Sequence, residues 1–129
     1  MSNVERLIHV EFHASNLEAS VHFYRDIFGI PLERSANEPA DDVWIGGHHA
    51  SFSWTDGAYI HFALFPALPP HRPVTRGAAI GISVADAAAF HSKVVTAGAR
   101  VLHEPRQEPW GLTARYLDPD GNSISITSR

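Results

Sequence analysis

Residues 7–29 read LIHVEFHASNLEASVHFYRDIFG, and two hydrophobic periods meet inside them. From Leu7 to Ala14 the pattern alternates, with Ile8, Val10 and Phe12 on one side and His9, Glu11 and His13 on the other, which predicts a half-buried strand. Ser15-Asn16-Leu17-Glu18 then carries a helix-capping signature. Leu17, Val21, Tyr24 and Phe28 recur at helical spacing until Gly29, a residue suited to a left-handed C-terminal cap. Further β-rich runs follow at Ile30–Glu33, Val43–Ile45, Ser51–Trp54 and Tyr59–Phe65, separated by Gly46-Gly47 and Thr55-Asp56-Gly57.

The same order returns downstream. The segment from Pro66 to Gly77 holds four prolines and few core-forming residues, so it reads as a linker. Beyond it Ala79–Val84 is a strand, Asp86 a cap, Phe90 and Val94 a buried stripe, and Gly98 a stop. Strands at Arg100–His103, Thr113–Leu117 and Ser123–Thr127 follow, the last after the turn Asp118-Pro119-Asp120-Gly121. Strand to stop takes 20 residues from His9 to Gly29 and 19 from Ala79 to Gly98, and Asp56-Gly57 and Asp120-Gly121 each precede a strand. A period of roughly 64–70 residues occurring twice is a duplicated βαβββ unit rather than a solenoid. The expected architecture is one α+β domain over residues 1–129, with module one at about 5–66 and module two at about 77–128.

Composition narrows the function. At 129 residues the chain suffices for one core. It has no cysteine, which excludes disulfides, thiolate metal sites and a Cys nucleophile together. The net charge of −4 comes without basic clustering, so neither nucleic acid nor an anionic membrane is an expected partner. The first apolar stretch, Leu7–Phe12, is broken by His9 and Glu11, and no window approaches the roughly 20 apolar residues of a membrane span. The expectation is a cytoplasmic protein whose partners are a small molecule and a second copy of itself. Nine histidines are the one compositional oddity. No Ser-His-Asp ordering, Walker loop or G-x-G-x-x-G fingerprint occurs, so acyl transfer, nucleotide hydrolysis and dinucleotide redox chemistry have no support.

Leu7-Ile8-His9-Val10, Asn16-Leu17-Glu18, Phe23-Tyr24 and Phe28-Gly29, together with Asp118-Pro119-Asp120-Gly121-Asn122, resemble the vicinal-oxygen-chelate superfamily of glyoxalases, bleomycin-resistance proteins and extradiol dioxygenases. The resemblance covers nearly the whole chain and is specific for fold rather than activity, because that scaffold hosts isomerases, lyases, transferases, oxygenases and drug-binding proteins. It implies two βαβββ modules whose curled mixed sheets surround a cleft, commonly completed by modules from two chains, hence a homodimer.

The resemblance also implies that metal ligands come from the first and fourth strands of each module. Those positions are His9 and His61 in module one, but Ala79 and Ser125 in module two, and neither of the latter is a credible ligand for a divalent ion. Catalytic metal sites usually keep three protein ligands. Glu11, two residues from His9 and on the same strand face, is the available recruit and the candidate catalytic base. The expected cofactor is therefore none, or one weakly held divalent metal at His9 and His61. Candidate ligand-binding residues are His13, Tyr59, Phe65, Trp110, Arg115 and Ser125. Tyr59 and Phe65 share the face of His61, and Trp110 sits in a loop where relatives lay a flap over the cleft. Arg115 is either a surface charge or, turned inward, a clamp for carboxylate or phosphate. His48-His49 reads as a solvated turn. Two main functions remain open. One is binding without chemistry, with Glu11 among imidazole and aromatic groups suited to a planar cationic guest. The other is a metal-dependent lyase, isomerase or dioxygenase acting on vicinal oxygens through His9, His61 and Glu11. Metal-free acid/base chemistry by Glu11 and His13 ranks third.

Overall fold

The computed structural model describes residues 3–35 and 48–129, and its backbone repeats one plan twice. Module one runs β1 (His9–Ala14), α1 (Leu17–Val21), β2 (Glu33–Ser35), β3 (His49–Trp54) and β4 (Ile60–Pro66). Module two runs β5 (Ala79–Ser83), α2 (Ala87–Thr96), β6 (Arg100–Glu108), β7 (Gly111–Leu117) and β8 (Ser123–Ser128). Each forms a four-stranded mixed sheet, ordered β1-β4-β3-β2 and β5-β8-β7-β6, in which the first strand lies parallel to the last and the other pairings are antiparallel. The sheets are not closed.

Local chemistry explains the matching helices. The Asn16 side chain accepts from the Ala19 amide and the Asp86 side chain from the Ala89 amide, both at the third helical position. Each such cap stabilises its helix by roughly 1 kcal/mol. Gly29 and Gly98 end the two units with φ of +80° and +98°.

The first helix departs from the regular spacing read in the sequence. After α1 it widens over His22–Ile27 into a π-helical turn, with Phe28 N donating to Phe23 O at 3.0 Å. The wider turn lets Phe23, Tyr24, Ile27 and Phe28 all reach the interior. The strand expected at Ile30–Glu33 begins only at Glu33. Ile30 and Leu32 are instead buried plugs around Pro31, which offers no amide to a ladder. The strand expected at Arg100–His103 continues to Glu108 through two register shifts. The Val43–Ile45 strand and the Gly46-Gly47 turn lie outside the described residues.

One hydrophobic core serves both modules. Phe12, Val21, Tyr24, Phe28, Phe62 and Leu64 from the first join Val94, Ala114, Tyr116, Ile124 and Ile126 from the second. The Phe28 ring meets Phe90 and Tyr116 at centroid distances of 5.8 and 5.3 Å. Because strand side chains alternate, the odd-numbered residues of β1, β4, β5 and β8 turn away from this core. The two polar sheet faces therefore open outward from a shared interior.

The Asp118–Asn122 turn fastens the modules together. Asp118 Oδ1 accepts from the Asp120 and Asn122 amides, both at 2.8 Å, and Oδ2 from the Tyr24 hydroxyl at 2.8 Å. The Asp120 carboxylate accepts from the Ser15 amide and hydroxyl, and Asn122 Oδ1 from the Ala78 amide. Burial, followed by the adjacent Asp118 charge, pushes the Tyr24 hydroxyl far above its ordinary titration range, so it remains a donor. The Pro66–Gly77 linker is also held down: Thr75 Oγ1 accepts from the His13 amide at 2.7 Å, and Thr75 N donates to His13 O at 2.8 Å. Among the described residues no helix is long and apolar enough to cross a membrane.

Candidate functional site

On the open face of the first sheet, β1 and β4 pair with His9 opposite His61. Phe12, Phe62 and Leu64 alternate with them into the core, so the polar set has one place to go. His9 Nε2 lies 2.8 Å from Glu11 Oε1, and His13 Nε2 lies 2.6 Å from Glu11 Oε2. His9 Nδ1 faces His61 Nδ1 at 2.8 Å, with the rings stacked at 4.9 Å and 16°. His13 Nδ1 reaches Pro73 O at 3.1 Å. The four predicted residues thus form one chain of contacts.

The partners assign the protons. An ionised carboxylate only accepts, so His9 and His13 each present an Nε2–H to Glu11. A neutral His9 then has a bare Nδ1 that accepts from the Nδ1–H of His61, which leaves His61 Nε2 as an acceptor. Partial burial by itself would raise the Glu11 carboxyl. The hydrogen bonds from His9 and His13, with their charge, outweigh it and hold Glu11 below its ordinary range. Burial, then the neighbouring His9 and His49, hold His61 below its ordinary value against the pull of Glu11. His61 is thereby kept in the neutral form that can accept a proton or bind an ion.

Tyr59 and Phe65 flank His61 along the same face. The Tyr59 hydroxyl accepts from Ser53 Oγ at 3.3 Å, and Phe65 lies between the His49 ring, stacked at 4.6 Å and 11°, and the Arg72 guanidinium at 5.0 Å. His49 corrects the reading of His48-His49 as a solvated turn. It opens β3 and is half-buried, while His48 is exposed. Only the pairing of β3 with β4, invisible in local sequence, brings it to Phe65. Ser53 and Arg72 were likewise not singled out. Ser53 does lie at alternating spacing from Ser51 in a strand-like run, but Arg72 sits in the proline-rich linker and carried no such signal.

The remaining candidates lie on the second sheet. Ser125 pairs with Gly81 on one side and Arg115 on the other, and Arg115 pairs with His103. Ala114 and Tyr116 are fully buried, so Arg115 between them points to the open face. Trp110, at the β6–β7 turn, is 55 % exposed. Sheet pairing also adjusts the match between modules. His61 N donates to Ile8 O, and Ser123 N to Ala78 O, so the residue paired like His61 is Ser123, two positions before Ser125. A groove of about 650 Å³ between the modules is walled by Phe28, Ile30, Trp54, Ile60 and Phe90, and no predicted site residue lines it.

A metal needs converging donors. Two nitrogens bound at right angles to one ion lie about 3 Å apart, close to the 2.8 Å between His9 Nδ1 and His61 Nδ1. Glu11 and His13 face other partners, and among the described residues no group of three or more His, Asp or Glu is arranged to hold a metal ion.

The family model for the Glyoxalase/Bleomycin resistance protein/Dioxygenase superfamily matches residues 6–126. No curated protein matches significantly. Among solved structures, an antibiotic-binding protein from Streptomyces sp. CB03234 is 23 % identical with a TM-score of 0.69, the alignment covering 99 % of this chain and 98 % of that one. A superfamily member from Sphaerobacter thermophilus is 19 % identical with a TM-score of 0.69, covering 98 % of both chains. A lactoylglutathione lyase from Agrobacterium tumefaciens is 18 % identical with a TM-score of 0.68, covering 98 % of this chain and 96 % of that one.

Proposed function

Because the chain belongs to the glyoxalase/bleomycin resistance protein/dioxygenase superfamily, we propose that it binds a small molecule without converting it, in a cleft that two copies complete. The observation that carries this reading is the engagement of His9. One of its nitrogens serves Glu11 and the other His61, while the second-module positions paired in the same way hold Ala79 and Ser123. Among the described residues a catalytic ion would find two ligands where three are usual. Imidazole, aromatic and hydroxyl groups on the open faces suit a guest held by stacking and hydrogen bonds. The likeness to an antibiotic-binding protein supports the same reading.

The outward faces support completion by a second copy. In one chain the histidine-bearing and arginine-bearing faces each turn from the shared core, so neither roofs the other. Leu7 at 66 % exposure and Leu102 at 50 % are apolar side chains that a two-fold partner would cover.

One observation favours a second reading, a weakly held divalent ion between His9 and His61 whose other positions the guest would fill. The 2.8 Å separation of the two Nδ1 atoms suits a shared ion. A single experiment separates the two. Untagged protein is analysed for metal and titrated calorimetrically with planar aromatic antibiotics, and the guest is recovered for mass spectrometry. Saturable binding, unchanged guest and no stoichiometric metal are expected. Stoichiometric metal together with turnover that His61→Ala abolishes in a folded protein would overturn the binding reading in favour of a metal enzyme.

A further inference from the structure

Resting on the reading of these faces as a small-molecule site, we propose that the guest carries an oxyanion, carboxylate or phosphate, and that Arg115 of the second sheet receives it. The argument starts from which charges are already met. Both oxygens of Glu11 accept from imidazoles, so the carboxylate expected to attract a cation is occupied. Arg115 is the opposite case: it is half-buried on its open face, and among the described residues no hydrogen bond or ion pair engages its guanidinium. Partly desolvated guanidinium is stabilised by an oxyanion that can take two parallel N–H bonds, and among the described residues no such group is bonded to it.

The surroundings fit that guest. The cross-strand neighbours of Arg115 are Ser125, a hydroxyl donor, and His103, whose Nδ1 donates to Glu104 O at 3.0 Å. Gly81 lies opposite Ser125, and a Cβ there would stand 2.8 Å from Ser125 Oγ, so the missing side chain leaves room beside a hydroxyl whose one bond, to Ile80 O, is long at 3.5 Å. Beyond Gly81, the strand partner of Ser125, a hollow of about 470 Å³ is lined by Gly81, Ile82, Ser83, Trp110, Thr127 and Arg129. It offers hydroxyls, a second guanidinium and an exposed indole, and no acidic side chain is among its lining residues. An aromatic acid would lay its ring against Trp110 and its oxyanion toward Arg115.

The test uses four small probes on the ¹⁵N-labelled full chain: benzoate, phenyl phosphate, neutral benzamide and cationic benzylamine. Benzoate or phenyl phosphate should shift the Trp110 indole and Arg115 Nε signals, the tighter of the two naming the preferred oxyanion, while benzylamine leaves them unmoved. Arg115→Met should weaken anion binding about tenfold, the scale of one charge-assisted hydrogen bond, and Arg115→Lys should restore part of it. Ser125→Ala, which leaves the guanidinium in place, should weaken it by a smaller factor and serves should Arg115→Met fail to fold. Benzamide binding as tightly as benzoate, with neither substitution changing affinity, would overturn the oxyanion while leaving the face as a binding site. If no probe moves either signal, the oxyanion proposal falls, while the small-molecule reading is decided separately by the antibiotic titration.

Discussion

Glu11 is the residue on which the open face of the first sheet turns, because it accepts from His9 and His13 at once and so aligns both rings. Its carboxyl and the His61 imidazole are each held below their ordinary values, 4.5 and 6.5. The signs agree. For either group the unfolded chain binds more protons in the interval between the folded and ordinary values, so stability is present above the ordinary value and is lost as pH falls through the folded one. For His61 that loss begins near its ordinary value of 6.5. Urea unfolding midpoints at about pH 7.5 and about pH 5.5, bracketing the imidazole range, should fall on acidification, and the fall should be smaller in His61→Gln. An equal fall in wild type and variant would remove His61 from the account. The alternation of Ile8, Val10 and Phe12 with His9, Glu11 and His13 made the polar face legible in the sequence. Which nitrogen meets which oxygen was not, since that depends on the registry of β1 against β4.

Among the elements, the helices were read most fully and the edges of strands least. Asn16 and Asp86 announce the two helix starts locally, whereas the π-helical turn at His22–Ile27 reflects the demand of four large side chains for one interior. The turn between β6 and β7 gives the sharpest element-scale prediction. Gly111 adopts φ of +140°, and a Cβ there would lie 2.6 Å from Ser128 O and 2.9 Å from Thr127 Cγ2. Gly111→Ala should destabilise the fold by about 1–3 kcal/mol, the cost of a sparsely populated backbone conformation, with the close contact to backbone adding to it. Chemical denaturation would read that loss, and wild-type stability in the variant would show that β7 does not hold this geometry. The Asp118–Asn122 turn belongs to this scale too. Its role is to fasten the modules through Tyr24 and Ser15, and its carboxylates face inward partners rather than a guest.

At the scale of the molecule, a shared core with outward polar faces sets the question of assembly. If module one of one copy meets module two of another, mixed pairs of His61→Ala and Ser125→Trp chains contain one cleft with both changes and one with neither. Calorimetric titration of such a mixture should recover one guest site per mixed pair, although neither variant binds alone. No recovery would mean that each cleft is built within one copy.

The sequence by itself determined the duplicated βαβββ plan, the family to which it belongs, and the unequal chemistry of its halves, because hydrophobic period, caps and turn residues act over a few neighbouring positions. Tertiary structure decided that His49 joins Phe65, that Ser123 rather than Ser125 is paired like His61, and that among the described residues no carboxylate pairs with Arg115. Those facts depend on strand register and on the sharing of one core between modules, which bring together residues far apart along the chain and leave no local mark in it.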